Sequence, residues 1–414
     1  MNIYRFHFSR ILFCVATGAL ATCTAFAVTP TSARHHPKRK TSVVAAKPVV
    51  AAARTGIALQ AKAAGVIVAP PAVTGSGSPK PGTARKKGYV QTWDEPTYKD
   101  STANDKVDGE DMVIRKAAAD ALGQYNGSVV VADPTNGRVL TIVNQPLALS
   151  GGFQPCSTVK ISVALAALRE GMVKRTSPIK FASRSSLDLT DALAFSNNYY
   201  FANLGIQLGY QRMNYYAHLF GYGEKAGLNI EGEKPGYYPP APPANGGMGM
   251  LTSFGEEIEQ TPLEFAALMS AVANGGTLYW MQYPRNQAEI ESFRPEVKRH
   301  LDIADLVDTM KPGMRGAVDY GTAKRAKQDD EILGKTGTCS EGRTHLGWFG
   351  AFNEGSSRKL VVVVMLTGGR PSVGATASEV AGDFYRELAN ENYFKNPPAL
   401  TPASILSPQI IGSR

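Results

Sequence analysis

The sequence changes character near residue 89, after which apolar positions recur with secondary-structure periods. In 154-QPCSTVKISVALAALREG-171 the residues Ile161, Leu165, Leu168 and Met172 step by four, three and four, which predicts one buried helical face. Pro155 suits the entry turn of that helix and Gly171 its stop. Further helices are predicted over 111–125, 199–209, 211–221, 261–276 and 377–390, the fourth with Pro262 in its first turn and glycines at its end. The stretch 128-SVVVADPTNGRVLTIV-143 is two apolar runs around a Pro-Thr-Asn-Gly turn, which predicts a hairpin. Near the C-terminus 331–340, 345–352 and 359–369 read as three successive strands, and 232–249 as a loop rich in glycine and proline. Strands at both ends with helices between them predict a sheet assembled from distant parts of the chain around a helical insertion, an α+β layout.

The termini differ from this body. Arg5 and Arg10 precede the apolar run 11–27, which ends in Ala25-Phe26-Ala27 and reads as a signal peptide or an N-terminal anchor, so the bulk of the chain is expected to be exported to the cell envelope. Residues 28–88 hold eleven Lys or Arg and no acid among Ala, Val and Pro, a composition that predicts a disordered linker. Removing those eleven and the two leader arginines from the 44 basic residues leaves 31 against 35 acids, so the net charge of +9 belongs to the N-terminal segments. The linker reads as a solvated tether or as a contact for anionic membrane or wall polymer. Its basic run has no interleaved aromatics, which argues against a nucleic-acid partner. Cys14 and Cys23 fall in the leader, leaving Cys156 and Cys339, which can form one bridge in an oxidising compartment. The six histidines show no metal-ligand spacing, and nothing in the sequence calls for a cofactor.

Three short motifs carry chemistry. Ser157 and Lys160 lie three apart at the head of the amphipathic helix, on one side and within reach of each other. Ser-x-x-Lys is weak alone, since roughly one copy arises by chance in a chain this long, and Ser177–Lys180 and Ser356–Lys359 are decoys that open no amphipathic helix. Ser196 and Asn198 could converge if they occupy the turn before the helix near Tyr199, although both residue types also cap helices. In 335-KTGT-338 the period of two puts Lys335, Gly337 and Cys339 on one face, with Gly337 leaving room for another backbone. A serine hydroxyl needs a nearby base. Lys160 can be that base if burial, the positive end of its helix and a second cation, Lys335, disfavour its charged form.

In this order the motifs, with the neighbourhoods 194-AFSNNYYFANLGIQLG-209, 261-TPLEFAALMSAVANGGTLY-279 and 347-GWFGAF-352, resemble the transpeptidase domain of penicillin-binding proteins over roughly 89–392, leaving 393–414 as a tail. The resemblance implies an antiparallel sheet flanked by helices plus a helical subdomain, with the active site between them. It implies that Ser157 forms an acyl-enzyme, that Ser196 relays a proton between Lys160 and the leaving amine, and that Asn198 binds the substrate amide. The N–H groups of Ser157 and Thr338 would form the oxyanion hole, and Lys335, Thr336 and Thr338 would receive the terminal carboxylate beside Gly337. The implied substrate is the D-Ala-D-Ala end of a peptidoglycan stem peptide, with β-lactams as covalent mimics. If strand 335–339 lies against the Ser157 helix, Cys339 points toward Cys156, which predicts a disulfide across the floor of the site. That pair of cysteines also resembles carbapenem-hydrolysing class A β-lactamases, although Asn197 stands where those enzymes have an aspartate and no deacylating base is evident. DD-transpeptidase or DD-carboxypeptidase, β-lactamase, and a non-catalytic β-lactam sensor or wall scaffold are the functions to be told apart.

Overall fold

The computed structural model describes residues 94–395 except 177, 183–184 and 370–372. The leader 1–27, the linker 28–88 and all but the first residues of the tail 393–414 therefore lie outside the described residues. In chain order, α1 (Met112–Leu122) leads into β1 (Gly127–Ala132), β2 (Val139–Val143) and the short α2 (Gln145–Leu149). A 3-10 turn, Cys156–Val159, opens α3 (Lys160–Arg169), followed by the small hairpin β3 (Ile179–Ala182) and β4 (Ser185–Leu187). Four helices come next: α4 (Leu189–Ala194), α5 (Asn198–Leu219), α6 (Gly247–Phe254) and α7 (Pro262–Asn274). β5 (Thr277–Tyr279), α8 (Gln287–Ser292), β6 (Val297–His300) and α9 (Ala304–Asp319) precede the closing run β7 (Ile332–Glu341), β8 (Thr344–Asn353), β9 (Val361–Gly368) and α10 (Val373–Asn390).

The main sheet has the order β2-β1-β9-β8-β7, antiparallel at every step, so the N-terminal hairpin joins the C-terminal strands as the sequence pattern predicts. β9 is an unbroken apolar run because both of its faces are covered. Its Val361, Val363 and Met365 face one core with α3 and α7, while Val362, Val364 and Leu366 face a second core with α1 and α10. β7 is the sheet edge, and this places the Lys335 strand beside the helical region. Trp348 on β8 ties the two together: it is fully buried, meets Phe265 of α7 edge to face at 6.1 Å, and donates from Nε1 to the Gln154 carbonyl at 3.0 Å.

Local sequence explains most of the ends. Thr261 and Glu264 form a reciprocal capping box around Pro262, which starts α7 cleanly. The two helices expected over 199–209 and 211–221 are one run kinked at Gly209, whose φ of 73° leaves the helical region. Five helices were not anticipated: the short α2, α4 and α8, and the longer α6 and α9. α6 grows out of the end of the 232–249 loop. α9 carries Pro312, which masks a helical spacing of buried Leu306, Met310, Met314 and Ala317.

Replacing Trp348 by Phe is expected to lower stability by about 2 kcal/mol, because the Gln154 carbonyl loses a buried donor and the core loses volume. Urea denaturation checks this, and an unchanged midpoint would contradict the role given to Trp348.

Candidate active site

Ser157 lies in the 3-10 turn ahead of α3, and Lys160 opens the helix itself, so one turn of chain sets their spacing. Lys160 Nζ is 3.0 Å from Ser157 Oγ. Around the same amine stand the Ser196 carbonyl at 2.7 Å, Ser196 Oγ at 3.1 Å and Asn198 Oδ1 at 2.6 Å. The turn between α4 and α5 is what lets Ser196 and Asn198 converge. Ser196 occupies a left-handed position (φ 55°), closed by Ser196 N–H to the Leu193 carbonyl and Asn197 N–H to the Ala192 carbonyl, the pattern that usually selects glycine after a helix. Asn197 caps α5 through its side chain, which accepts from Tyr200 N–H, while its neighbours face the amine.

Lys335 comes in from β7. Its Nζ donates to Ser196 Oγ at 2.8 Å and to the Thr336 carbonyl at 2.9 Å. Ser157, Lys160, Ser196 and Lys335 thus form one chain of hydrogen-bonding atoms. Both lysines are fully buried, and among the described residues no carboxylate hydrogen-bonds to any of the four. Burial, reinforced by the charge of Lys335, holds the Lys160 amine well below the usual lysine range. Burial alone brings Lys335 down to about 7.

The donor count agrees with a neutral Lys160. Its two closest neighbours, the Ser196 carbonyl and Asn198 Oδ1, can only accept, and they take both protons of a neutral amine. The remaining lone pair then faces the hydroxyls of Ser157 and Ser196.

The strand and the turn are held together covalently. Cys156 and Cys339 are joined by a disulfide, with Cα atoms 5.5 Å apart and 183 residues between them in sequence. Closing a loop of that length removes about 5 kcal/mol of chain entropy from the unfolded state. Gly337 sits at the contact, where a Cβ would come within 2.8 Å of the Pro155 carbonyl oxygen and 3.1 Å of the Thr158 side chain. Cys156 itself has φ 53°, unusual for a residue with a side chain, and it directly precedes the serine.

The other face of β7 is different. Thr336 is buried with its Oγ1 2.6 Å from Thr322 Oγ1, whereas Thr338 is exposed at the sheet edge. Thr322 was not picked out from the sequence, since it belongs to no periodic element and follows the unanticipated α9. Phe201, whose ring centre is 5.6 Å from Lys160 Nζ, was likewise read only as part of a helix. A cavity of about 810 Å³ bounded by Leu149, Ile230, Tyr283 and Phe293 contains none of these groups, so cavity size does not mark the serine–lysine cluster.

The penicillin binding protein transpeptidase domain, as a sequence family, matches residues 127–390. The chain belongs to this family. Among its relatives, stage V sporulation protein D of Bacillus subtilis is 24% identical over 327 residues, covering 66% of this chain and 50% of the relative. Peptidoglycan D,D-transpeptidase FtsI of Escherichia coli K12 is 27% identical over 252 residues, covering 51% and 43%. The chain thus spans about half the length of these relatives. In fold it is similar to the crystal structure of PBPA from Mycobacterium tuberculosis, with a TM-score of 0.60 at 22% identity over 67% of this chain and 81% of that one. The α+β architecture of antiparallel sheet, flanking helices and helical subdomain is therefore that of penicillin-binding transpeptidase domains.

The buried lysines make a linkage prediction. Between about pH 7 and the ordinary lysine value of 10.5 the unfolded chain holds a proton on Lys335 that the folded protein does not, so stability rises with pH across that window. Lys335→Met should flatten the rise by about 1.4 kcal/mol per pH unit, measured by denaturant unfolding from pH 7 to 10. Equal slopes in the two proteins would show that Lys335 is charged in the fold.

Proposed function

We propose that this domain is a serine DD-transpeptidase or DD-carboxypeptidase that acts on the D-Ala-D-Ala end of peptidoglycan stem peptides. The observation that carries the reading is the connected set Ser157 Oγ, Lys160 Nζ, Ser196 Oγ and Lys335 Nζ at 3.0, 3.1 and 2.8 Å, with both amines depressed below the ordinary lysine value. Family membership and the D,D-transpeptidase name of a relative support it.

In this reading neutral Lys160 takes the Ser157 proton as Oγ adds to the carbonyl of the penultimate D-Ala. The N–H groups of Ser157 and Thr338 receive the oxyanion; β7 being the sheet edge supports this, since its outer side is free to meet a peptide. Collapse of the tetrahedral species breaks the C–N bond, and the proton on Lys160 passes through Ser196 to the departing D-Ala amine. Asn198 holds the substrate amide. Lys335, whose charged form an arriving carboxylate favours, donates to the terminal carboxylate, with Thr336, Gly337 and Thr338 forming that wall. The acyl group on Ser157 then passes to an amine of a second stem peptide or to water. Such a substrate lies outside the cytoplasm, in keeping with the export signal and basic tether read from the N-terminus.

Rapid hydrolysis of a β-lactam acyl-enzyme needs a base for water, and the buried acids of the 228–239 segment and the helix behind it, Glu233 and Glu264, are committed elsewhere. Glu233 accepts from the N–H groups of Ala226 and Gly227, and Glu264 from those of Gly236 and Thr261. This favours a stable β-lactam adduct over turnover.

Labelling of the full-length chain with a fluorescent penicillin is expected to give an adduct that persists after free label is removed and is absent in Ser157→Ala. Loss of the adduct within minutes with continued turnover would make the protein a β-lactamase; no adduct at all would favour a non-catalytic domain.

A further inference from the structure

Two aromatic rings beside the serine–lysine cluster stand open, although large apolar side chains are usually covered. Phe195 is 51% exposed and Tyr320 41% exposed, with ring centres 5.5 Å apart and planes tilted by 54°. Phe195 ends α4 and directly precedes Ser196, while Tyr320 ends α9 two residues before Thr322, whose hydroxyl meets Thr336 on the Lys335 strand. A glycine seats the Tyr320 ring: a Cβ at Gly316, one turn back on α9, would come within 2.8 Å of its Cζ and 3.1 Å of the Ala194 side chain. The fold thus holds the pair at the Ser196 end of the cluster.

The charges that face the rings are mostly negative. Tyr320 Oη donates to Asp191 Oδ1 at 3.1 Å. Partial burial, this bond and the carboxylates of Asp191, Asp188 and Asp319 hold the phenol above the ordinary tyrosine value. Asp319 is shared with Lys327 at 3.6 Å, whereas Asp188 caps α4 and Asp191 accepts from Tyr320. Rings beside carboxylates fit a cation carried on an apolar arm, because the methylene groups cover the rings while the charge meets a ring face and an acid.

The reaction proposed above calls for such a group. Ser196 passes a proton to the departing D-Ala amine, so by reversibility an incoming amine reaches the acyl carbon on Ser157 from the Ser196 side. We infer that Phe195 and Tyr320, with Asp191 behind them, form the acceptor subsite and select a primary amine carried on an aliphatic arm of the second stem peptide. The inference rests on the acyl-enzyme reading above and narrows it to amine transfer. The acceptor arrives as an ammonium, loses one proton to solvent and attacks as the free amine. Its nitrogen bonds to the acyl carbon, the ester bond to Ser157 Oγ breaks, and a second proton of the amine passes through Ser196 and Lys160 to Ser157 Oγ.

The test follows how the acyl-enzyme formed from an N-acyl-D-alanyl thioester divides between water, Nα-acetyl-lysine and hydroxylamine, a small amine that is uncharged near neutrality. It uses the full-length wild type, Phe195→Ala, Phe195→Tyr, Tyr320→Ala, Asp191→Asn and, as a control on an exposed ring of α5, Tyr215→Ala. Relative to hydrolysis, transfer to Nα-acetyl-lysine is expected to fall about 10-fold in Phe195→Ala and Tyr320→Ala and about threefold in Asp191→Asn, with donor acylation and transfer to hydroxylamine within about twofold. Phe195→Tyr and Tyr215→Ala should match the wild type. An unchanged division in both alanine variants at 195 and 320, an equal loss with hydroxylamine, an equal loss in Tyr215→Ala, or no wild-type transfer to Nα-acetyl-lysine would each overturn the subsite. A matching fall in donor acylation in those two variants would also overturn it, making the pair a brace for the Ser196 turn. A wild type that forms no acyl-enzyme would overturn the functional reading as well, whereas normal acylation beside an unchanged division overturns this inference alone.

Discussion

Two lysine amines out of contact with solvent, bridged by one serine hydroxyl and facing no carboxylate, set the terms for the rest of this molecule. Desolvation penalises the charged form of each, and the charge on one further penalises the other. Such an arrangement persists only where the backbone around it is over-determined. Each neighbouring peculiarity answers that need: the left-handed Ser196, the left-handed Cys156, and the glycine at 337 that lets β7 press on the turn before α3.

The stabilising terms are spread through the scaffold. The sheet is closed by strands from both ends of the described chain, so β7 cannot leave α3 without disturbing β8 and the core behind it. Trp348 and the Cys156–Cys339 bond fasten the segment 154–157 at two points, one through a buried hydrogen bond and the other through a covalent link. α9 braces α4 from outside: Gly313 admits the Leu193 side chain and Gly321 the Ala194 carbonyl, which holds the Ser196 turn in place. The serine–lysine cluster is thus built by three unrelated stretches whose only common requirement is close approach.

Periodic features were legible in the sequence, and features set by tertiary contact were not. The apolar stripe Ile161, Leu165, Leu168 announced α3, and the valine run announced a strand, whose coverage on both faces the structure adds. The convergence of Ser196 and Asn198 was readable as a condition, since residues two apart cannot share a helical face but can share a turn. By contrast α9 was hidden by Pro312 and Gly313, whose local preferences oppose the helix that packing against α4 enforces. Thr322 was invisible because its meaning lies entirely in a contact with Thr336 across the fold. Thr336 and Thr338, equivalent by strand period, are separated by their neighbours, one buried against Thr322 and the other at the exposed edge.

The central claim is that Lys160 is neutral at physiological pH and free to take a proton from Ser157. It is tested most directly by following the side-chain Cε of Lys160 by carbon-13 NMR across pH, with the resonance assigned by its loss in Lys160→Arg. A midpoint well below the ordinary lysine value of 10.5 is the result this account predicts. A Lys160 that titrates near 10.5 with the exposed lysines would contradict it.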